Sequence, residues 1–79
     1  MPEEFNMEEF SRRLRHLRME TLNMPTKPFA EKAGVSPGTI NHYENQKCSP
    51  SASVVFNICK AYNVSADWLL GLKEESTCQ

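Results

Sequence analysis

A glycine, a serine and a proline in close succession constrain this chain most. Gly34 ends an apolar, helix-spaced segment, and Ser36 and Pro37 come directly after it. Glycine adopts the left-handed conformation that ends many helices without a steric penalty at Cβ. Serine is a strong helix N-cap, and proline suits the first helical position, where its missing N–H leaves no bond unmade. This order predicts two short helices joined by a tight turn.

The second of these helices has two different faces. At about 100° per residue, one face carries Pro37, Ile40, Tyr43 and Glu44, which predicts packing against a core. The small and polar residues of the other face are Gly38, Thr39, Asn41, His42 and Asn45. Such side chains can exchange hydrogen bonds with base edges, so the segment is a candidate helix-turn-helix. The same turn would also serve an αα-hairpin on the surface of a small bundle, and the segment alone leaves both interpretations open.

Apolar residues recur at helical spacing in three further stretches. One runs roughly from Met7 to Leu22, one follows Ser51, and the last follows Ser65. The chain is therefore predicted to be all-α, with five helices and the motif at helices 2 and 3. With 79 residues it makes one small domain, expected over 7–72, between flexible tails at 1–6 and 73–79.

With these elements in place, the chain resembles the lambda-repressor-like (Cro/repressor, Xre-type) family of helix-turn-helix DNA-binding domains. The resemblance covers residues 10–72. The matching positions are 13–15, 17–18, 29–30, 33–36, 39–40, 43–45, 47, 50, 64–65 and 67–71. The resemblance implies a compact five-helix fold and a sequence-specific transcriptional regulator, a repressor, that places its second motif helix (about 36–44) in the major groove of an operator.

The resemblance also implies a role for individual positions. It places Thr26, with Lys27 beside it, against a phosphate at the start of the first motif helix, and it places the loop after the second helix at phosphate too. The DNA-binding residues implied are Thr26, Lys27, Ser36, Pro37, Gly38, Thr39, Asn41, His42, Asn45 and Lys47. Arg18 is expected to pair with Glu44, which would hold helix 1 against the motif.

Two features depart from the family pattern. Pro37 and Gly38 stand where relatives often carry long polar side chains, and neither can hydrogen-bond a base through a side chain. Base readout would then depend on the remaining polar residues of the helix, with DNA shape contributing to specificity. The second departure is the segment 22–25, which is about one residue longer than usual. Together with Pro28, it leaves the start of the second helix open.

The charge distribution favours DNA binding, and the cysteines and histidines give no sign of a metal site or an enzyme. The net charge is −1, but residues 11–47 carry +4, residues 1–10 carry −4 and residues 48–79 carry −1. The positive charge lies where DNA is expected, which predicts modest and salt-dependent binding. The cysteines (Cys48, Cys59 and Cys78) and the histidines lack the spacing of a metal site or a disulfide framework. We therefore expect no metal, no cofactor and no enzymatic activity.

Partners and location follow from the remaining features. No segment has the length of a membrane span or the pattern of a signal peptide, so a cytoplasmic location is expected. The expected partners are double-stranded DNA and a second copy of the chain, bound through helix 5 and the segment after it, where Leu70 and Leu72 offer apolar surface.

The alternative is a protein-binding module, an antitoxin or adaptor with the same fold, which Pro37 and Gly38 and the net negative charge favour. A further alternative is the DNA-binding part of a larger regulator.

Overall fold

Within residues 4–72, capping signals and helical periodicity produce five helices, in the order predicted from the sequence. The computed structural model describes residues 4–72, so the tail predictions for 1–3 and 73–79 lie outside the described residues. The helices are α1 (Met7–His16), α2 (Thr26–Ala33), α3 (Pro37–Glu44), α4 (Ala52–Tyr62) and α5 (Ala66–Leu70). The all-α prediction is confirmed, and so is the placement of the motif at helices 2 and 3.

Side-chain caps define where four of the helices begin. Asn6 caps α1, Ser36 caps α3, Ser51 caps α4 and Ser65 caps α5, each accepting a backbone N–H three residues further on. Because Asn6 caps α1, and because the Phe5 ring lies 6.0 Å from that of Phe10, this end of the predicted tail contributes to the fold.

Helix α2 begins differently, after Pro25 and without a side-chain cap. Pro28 is its third residue. The first four N–H groups of a helix have no partner within it, so a proline costs little at this position. This settles the start of α2 at Thr26, which the two prolines had left open.

One apolar core joins all five helices. The buried apolar residues are Phe10, Leu14, Leu17, Phe29, Ala30, Ala33, Ile40, Tyr43, Val55, Ile58, Val64, Trp68 and Leu69. Helix α1 packs against α3 and α5, while α2 packs against α3 and α4. Each motif helix therefore packs against a helix outside the motif: α3 packs against α1, and α2 packs against α4. None of the described helices is long and apolar enough to cross a membrane.

After His16, helix α1 continues as a π-helical segment, Leu17–Thr21. The Leu22 N–H donates to the Leu17 carbonyl, five residues back, at 2.9 Å. Since a π turn holds more residues than an α turn, this segment offers a place for the extra residue that the sequence indicated near Leu22. The segment also contains Arg18, whose side chain reaches α3.

Candidate nucleic-acid interface

The turn between α2 and α3 has the predicted glycine geometry. Gly34 lies in the left-handed region, at φ 76°. Its N–H donates to the Glu31 carbonyl at 3.1 Å, and the Val35 N–H donates to the Ala30 carbonyl at 3.0 Å. Ala30 is fully buried. These bonds end α2 sharply and direct the chain into α3.

Helix α3 has one buried and one exposed face, as its sequence predicts. Ile40 is fully buried and Tyr43 nearly so. Gly38, Asn41 and His42 are exposed. The core therefore sets the rotation of α3 about its own axis, and this rotation turns the polar face to solvent.

Internal hydrogen bonds distinguish the polar residues of this face. The Ser36 hydroxyl accepts the Thr39 N–H at 3.1 Å and lies 2.9 Å from the Thr39 hydroxyl. The Asn45 amide donates to the Asn41 carbonyl at 2.9 Å. Within residues 4–72, the side chains of Asn41 and His42 make no hydrogen bond, so both keep their polar groups available to a partner.

The end of α3 contains a feature that the sequence analysis missed. Gln46 lies in the left-handed region at φ 60°. Its N–H donates to the Tyr43 carbonyl at 3.2 Å, and the Lys47 N–H donates to the His42 carbonyl at 2.8 Å, which together form a Schellman motif. Glutamine is an uncommon residue at this position, so its type gave no signal. The motif leaves Lys47 exposed beside the end of α3.

The two positions predicted at the start of α2 lie at its N-terminal end. Thr26 is half-buried and Lys27 is exposed. The N-terminal end of a helix carries partial positive charge and favours an anion. Lys27 adds a full positive charge there. These features agree with phosphate contact, which stays a prediction.

Arg18 and Glu44 form the expected ion pair. The Arg18 Nε lies 2.7 Å from one Glu44 carboxylate oxygen, and its Nη2 lies 2.9 Å from the other. Both side chains are largely buried, and Arg18 also donates to the Met24 carbonyl at 3.1 Å. The hydrogen bonds to Glu44 raise the pKa of Arg18 above its ordinary value. The pair joins the π-helical segment to the last residue of α3.

A second polar link was not predicted from the sequence. Ser11 is buried on α1, and its hydroxyl donates to the Tyr43 carbonyl at 2.6 Å. The Tyr43 hydroxyl in turn accepts the Ser51 N–H at 3.1 Å. These bonds connect α3 to α1 and to the start of α4. Ser11 lies within the apolar pattern of α1, which was the one available sign that it would be buried.

Among residues 4–72, no three histidine, cysteine, aspartate or glutamate side chains lie together in a group that could hold a metal ion. Cys48 is exposed in the loop after α3, and Cys59 is half-buried against the core. His16 is exposed on α1, with its ring 6.3 Å from Trp68. The described side chains thus offer hydrogen bonds and charge at this surface.

Comparisons with known proteins agree with this geometry. A model of the helix-turn-helix family matches residues 7–69. An uncharacterized HTH-type transcriptional regulator of Haemophilus influenzae is 34% identical over 76 residues, which cover 94% of this chain and 31% of that protein. The chain thus spans about a third of the length of that relative.

A solved structure is also similar. The P22 c2 repressor protein, crystallised in complex with synthetic operator 9T in the presence of Tl+, matches with a TM-score of 0.69 and 25% sequence identity. The match covers 81% of this chain and 96% of the repressor chain. Both comparisons agree with the family resemblance inferred from the sequence.

Proposed function

We propose that this chain, which belongs to the helix-turn-helix family, is a DNA-binding transcriptional regulator, a repressor, that places α3 in the major groove of its operator. The observation that carries the proposal is the exposed face of α3, where Asn41 and His42 keep their polar groups available. The P22 c2 repressor, which shares the fold, was crystallised with operator DNA. With this function we also propose a cytoplasmic location, as expected from the sequence.

The predicted DNA-binding residues fall into groups that have different roles in this proposal. An asparagine amide can pair with both polar atoms of an adenine edge, and a histidine ring can donate or accept, so Asn41 and His42 read bases. Thr26, Lys27, Asn45 and Lys47 contact phosphates. Ser36 and Thr39 are partly committed to each other, and they hold the first turn of α3 in place.

Pro37 and Gly38 contribute through shape. A Cβ on Gly38 would meet nothing closer than the Ser36 hydroxyl at 3.9 Å, so the fold itself does not require glycine there. Gly38 is exposed at the start of α3. The lack of a side chain allows the helix backbone to approach DNA closely, and specificity then depends partly on DNA shape.

The proposed regulator acts as a homodimer that uses α5 and the segment after it. Leu70 is half-buried, and Leu72 is 64% exposed. An open apolar groove of about 700 Å³ continues from Leu70 along α4 to Phe56, which is also exposed. A groove lined by apolar side chains with exposed apolar residues at both ends suits contact with the apolar surface of a second copy. In a two-fold dimer, the two α3 helices would lie about 34 Å apart, one turn of DNA.

The experiment that tests the proposal selects bound sequences from a random duplex library at low and moderate salt. An enriched, roughly palindromic motif supports a dimeric, sequence-specific regulator. On the selected site, Asn41→Ala and His42→Ala should each cost about 1–3 kcal/mol of binding free energy and relax the sequence preference. His16→Ala is the matched control, because His16 is an exposed histidine of α1 rather than α3.

The antitoxin or adaptor function is the second candidate, and the apolar groove between α4 and α5 favours it. It predicts that Asn41→Ala and His42→Ala leave activity intact and that the library yields no motif. A protein partner would then be sought through the groove, with Phe56→Lys as the variant that blocks it.

A further inference from the structure

A small polar cavity lies between α1 and the end of α3. Its volume is about 200 Å³, and it is lined by Glu8, Ser11, Arg12, Arg15, Glu44 and Gln46. It adjoins the loop at 45–47 through Gln46, but its arginines are not among the DNA contacts proposed above. Arg12 and Arg15 are both exposed beside α3, the helix proposed to read DNA.

Arg15 keeps most of its hydrogen-bonding capacity. Its side chain is 57% exposed, and its Nε lies 3.7 Å from a Glu44 carboxylate oxygen, beyond hydrogen-bond distance. Both Glu44 oxygens already accept from Arg18, at 2.7 and 2.9 Å. Arg18 therefore compensates most of the Glu44 charge, and the Arg15 guanidinium, which forms this longer ion pair with Glu44, presents most of its planar set of donors to solvent.

Arg12 lies one helical turn before Arg15, on the same side of α1. Its side chain is 69% exposed, and one of its five N–H donors binds Glu9. Glu8 also borders the cavity, one helical turn before Arg12, and its negative charge opposes an anion there. Arg15 lies a further turn along α1, so it offers the more favourable position for an anion.

We infer that Arg15, supported by Arg12, binds a phosphate of the DNA strand that passes the C-terminal end of α3. The inference rests on the proposed function, because a helix in the major groove has a sugar-phosphate backbone on each side. The left-handed Gln46 brings Lys47 to the same end of α3, so one strand can meet both Lys47 and Arg15. The planar guanidinium matches two phosphate oxygens at once.

The test is a salt titration of binding to a fluorescein-labelled duplex of mixed sequence, which requires no knowledge of the operator. Each phosphate contact contributes about one unit to the slope of log K against log salt. We expect Arg15→Gln to lower the slope by about one unit and to weaken binding several-fold at low salt. Arg15→Lys should keep most of the slope, because the charge remains.

The control is Lys32→Gln, which removes the same charge from an exposed side chain of α2 that lies over the Tyr62 ring, 5.2 Å from its centre. Thermal unfolding of each variant checks the fold, and we expect Arg15→Gln to unfold at the wild-type temperature. A wild-type slope in Arg15→Gln, or an equal loss in Lys32→Gln, would overturn the inference while leaving the proposed function standing. Failure of the wild-type chain to bind the duplex even at low salt would overturn both.

Discussion

Glu44 connects the fold to the proposed DNA surface through one side chain. It is the last residue of α3, its carboxylate accepts hydrogen bonds from the Nε and the Nη2 of Arg18, and it lies near Arg15. A largely buried charge pair costs desolvation when it forms, and it costs more when one partner is removed, because the other charge is left uncompensated. The main effect of the pair is therefore to fix the position of α3 relative to the π-helical segment. Its net contribution to the free energy of unfolding is small.

Removing Glu44 alone should be more harmful than replacing both partners. We expect Glu44→Ala to lower the free energy of unfolding by about 3 kcal/mol, since Arg18 would lose its partner. The double variant Arg18→Met/Glu44→Leu should recover part of this loss. Urea denaturation of the two single variants and the double variant measures the coupling. A cost below about 1 kcal/mol for Glu44→Ala would contradict this account of the pair.

Neighbouring residues of α3 should separate stability from binding. Ile40 is fully buried, so Ile40→Ala should destabilise the fold by about 2–5 kcal/mol through lost contacts and a cavity. His42→Ala changes an exposed side chain and should alter stability by at most about 0.5 kcal/mol. Urea denaturation gives both values. Equal stability of the Ile40→Ala variant and the wild type would mean that the core face of α3 has been placed wrongly.

At the scale of the secondary-structure elements, left-handed residues end both motif helices. Gly34 ends α2 at φ 76°, where glycine bears no strain. Gln46 ends α3 at φ 60°, where an L-residue with a Cβ is held in an unfavourable conformation. The two helices thus end with the same geometry, which favours glycine at both positions, but only α2 has a glycine there.

Replacing the glycine that ends α2 and the glutamine that ends α3 should change the free energy of unfolding in opposite directions. Gly34→Ala should destabilise by about 1 kcal/mol through backbone strain alone, because its Cβ would meet no atom within 4 Å. Gln46→Gly should relieve strain and stabilise by up to about 1 kcal/mol. Thermal unfolding of the two variants tests both signs. A loss of stability in Gln46→Gly would indicate that the glutamine side chain contributes more than its conformation costs.

For the whole molecule, the ion pairs of α1 link stability to pH. Hydrogen bonds from Arg12 and then Arg13 hold the pKa of Glu9 below its usual value of 4.5. Arg13 also donates to the Trp68 carbonyl at 2.7 Å, which connects this group to α5. A carboxylate with a lowered folded-state pKa stabilises the fold above its unfolded pKa, and the contribution is lost as the pH falls through the folded pKa.

Glu9→Gln should therefore flatten the acid side of the stability profile. The variant should unfold at a lower temperature than the wild type at pH 6, and the difference should shrink as the pH falls below the ordinary glutamate pKa of 4.5. Thermal unfolding followed by circular dichroism across this range measures it. Glu20→Gln, an exposed carboxylate of the π-helical segment, is the control. A constant difference between wild type and Glu9→Gln at all pH values would rule out the linkage.

The proposed homodimer can be tested at the end of α5. If the chain pairs through α5 and the segment after it, Leu72→Lys should shift a dimer toward monomer, because a charge would enter an apolar contact. Met19→Lys is the matched control, since Met19 is also an exposed apolar residue and lies in the π-helical segment. Sedimentation velocity over a concentration series distinguishes the two. A monomeric wild-type chain at all concentrations, with or without operator DNA, would contradict the proposed homodimer.

Local signals in the sequence were sufficient for the helices, the turn and the two faces of α3. Gly34, Ser36 and Pro37 act through backbone conformation and capping, which depend on residues within one turn of each other. The faces of α3 follow from the helical repeat once Ile40 is assigned to the core. The pairing of Arg18 with Glu44 came from the family resemblance, and the structure supplied its geometry.

Only the packed structure decided which polar groups remain available for binding. The hydroxyls of Ser36 and Thr39 lie within hydrogen-bond distance of each other, the side chains of Asn41 and His42 make no hydrogen bond among the described residues, and Arg15 lies beside a pair that Arg18 completes. The conformation of Gln46 and the burial of Ser11 were likewise not predicted. The burial of Ser11 and the position of Arg15 beside Glu44 depend on contacts between α1 and α3 that are distant along the chain. The Gln46 conformation is local, but glutamine gives no signal for it. A local pattern specifies which groups a helix carries, whereas the packing of the helices determines which of those groups already have partners.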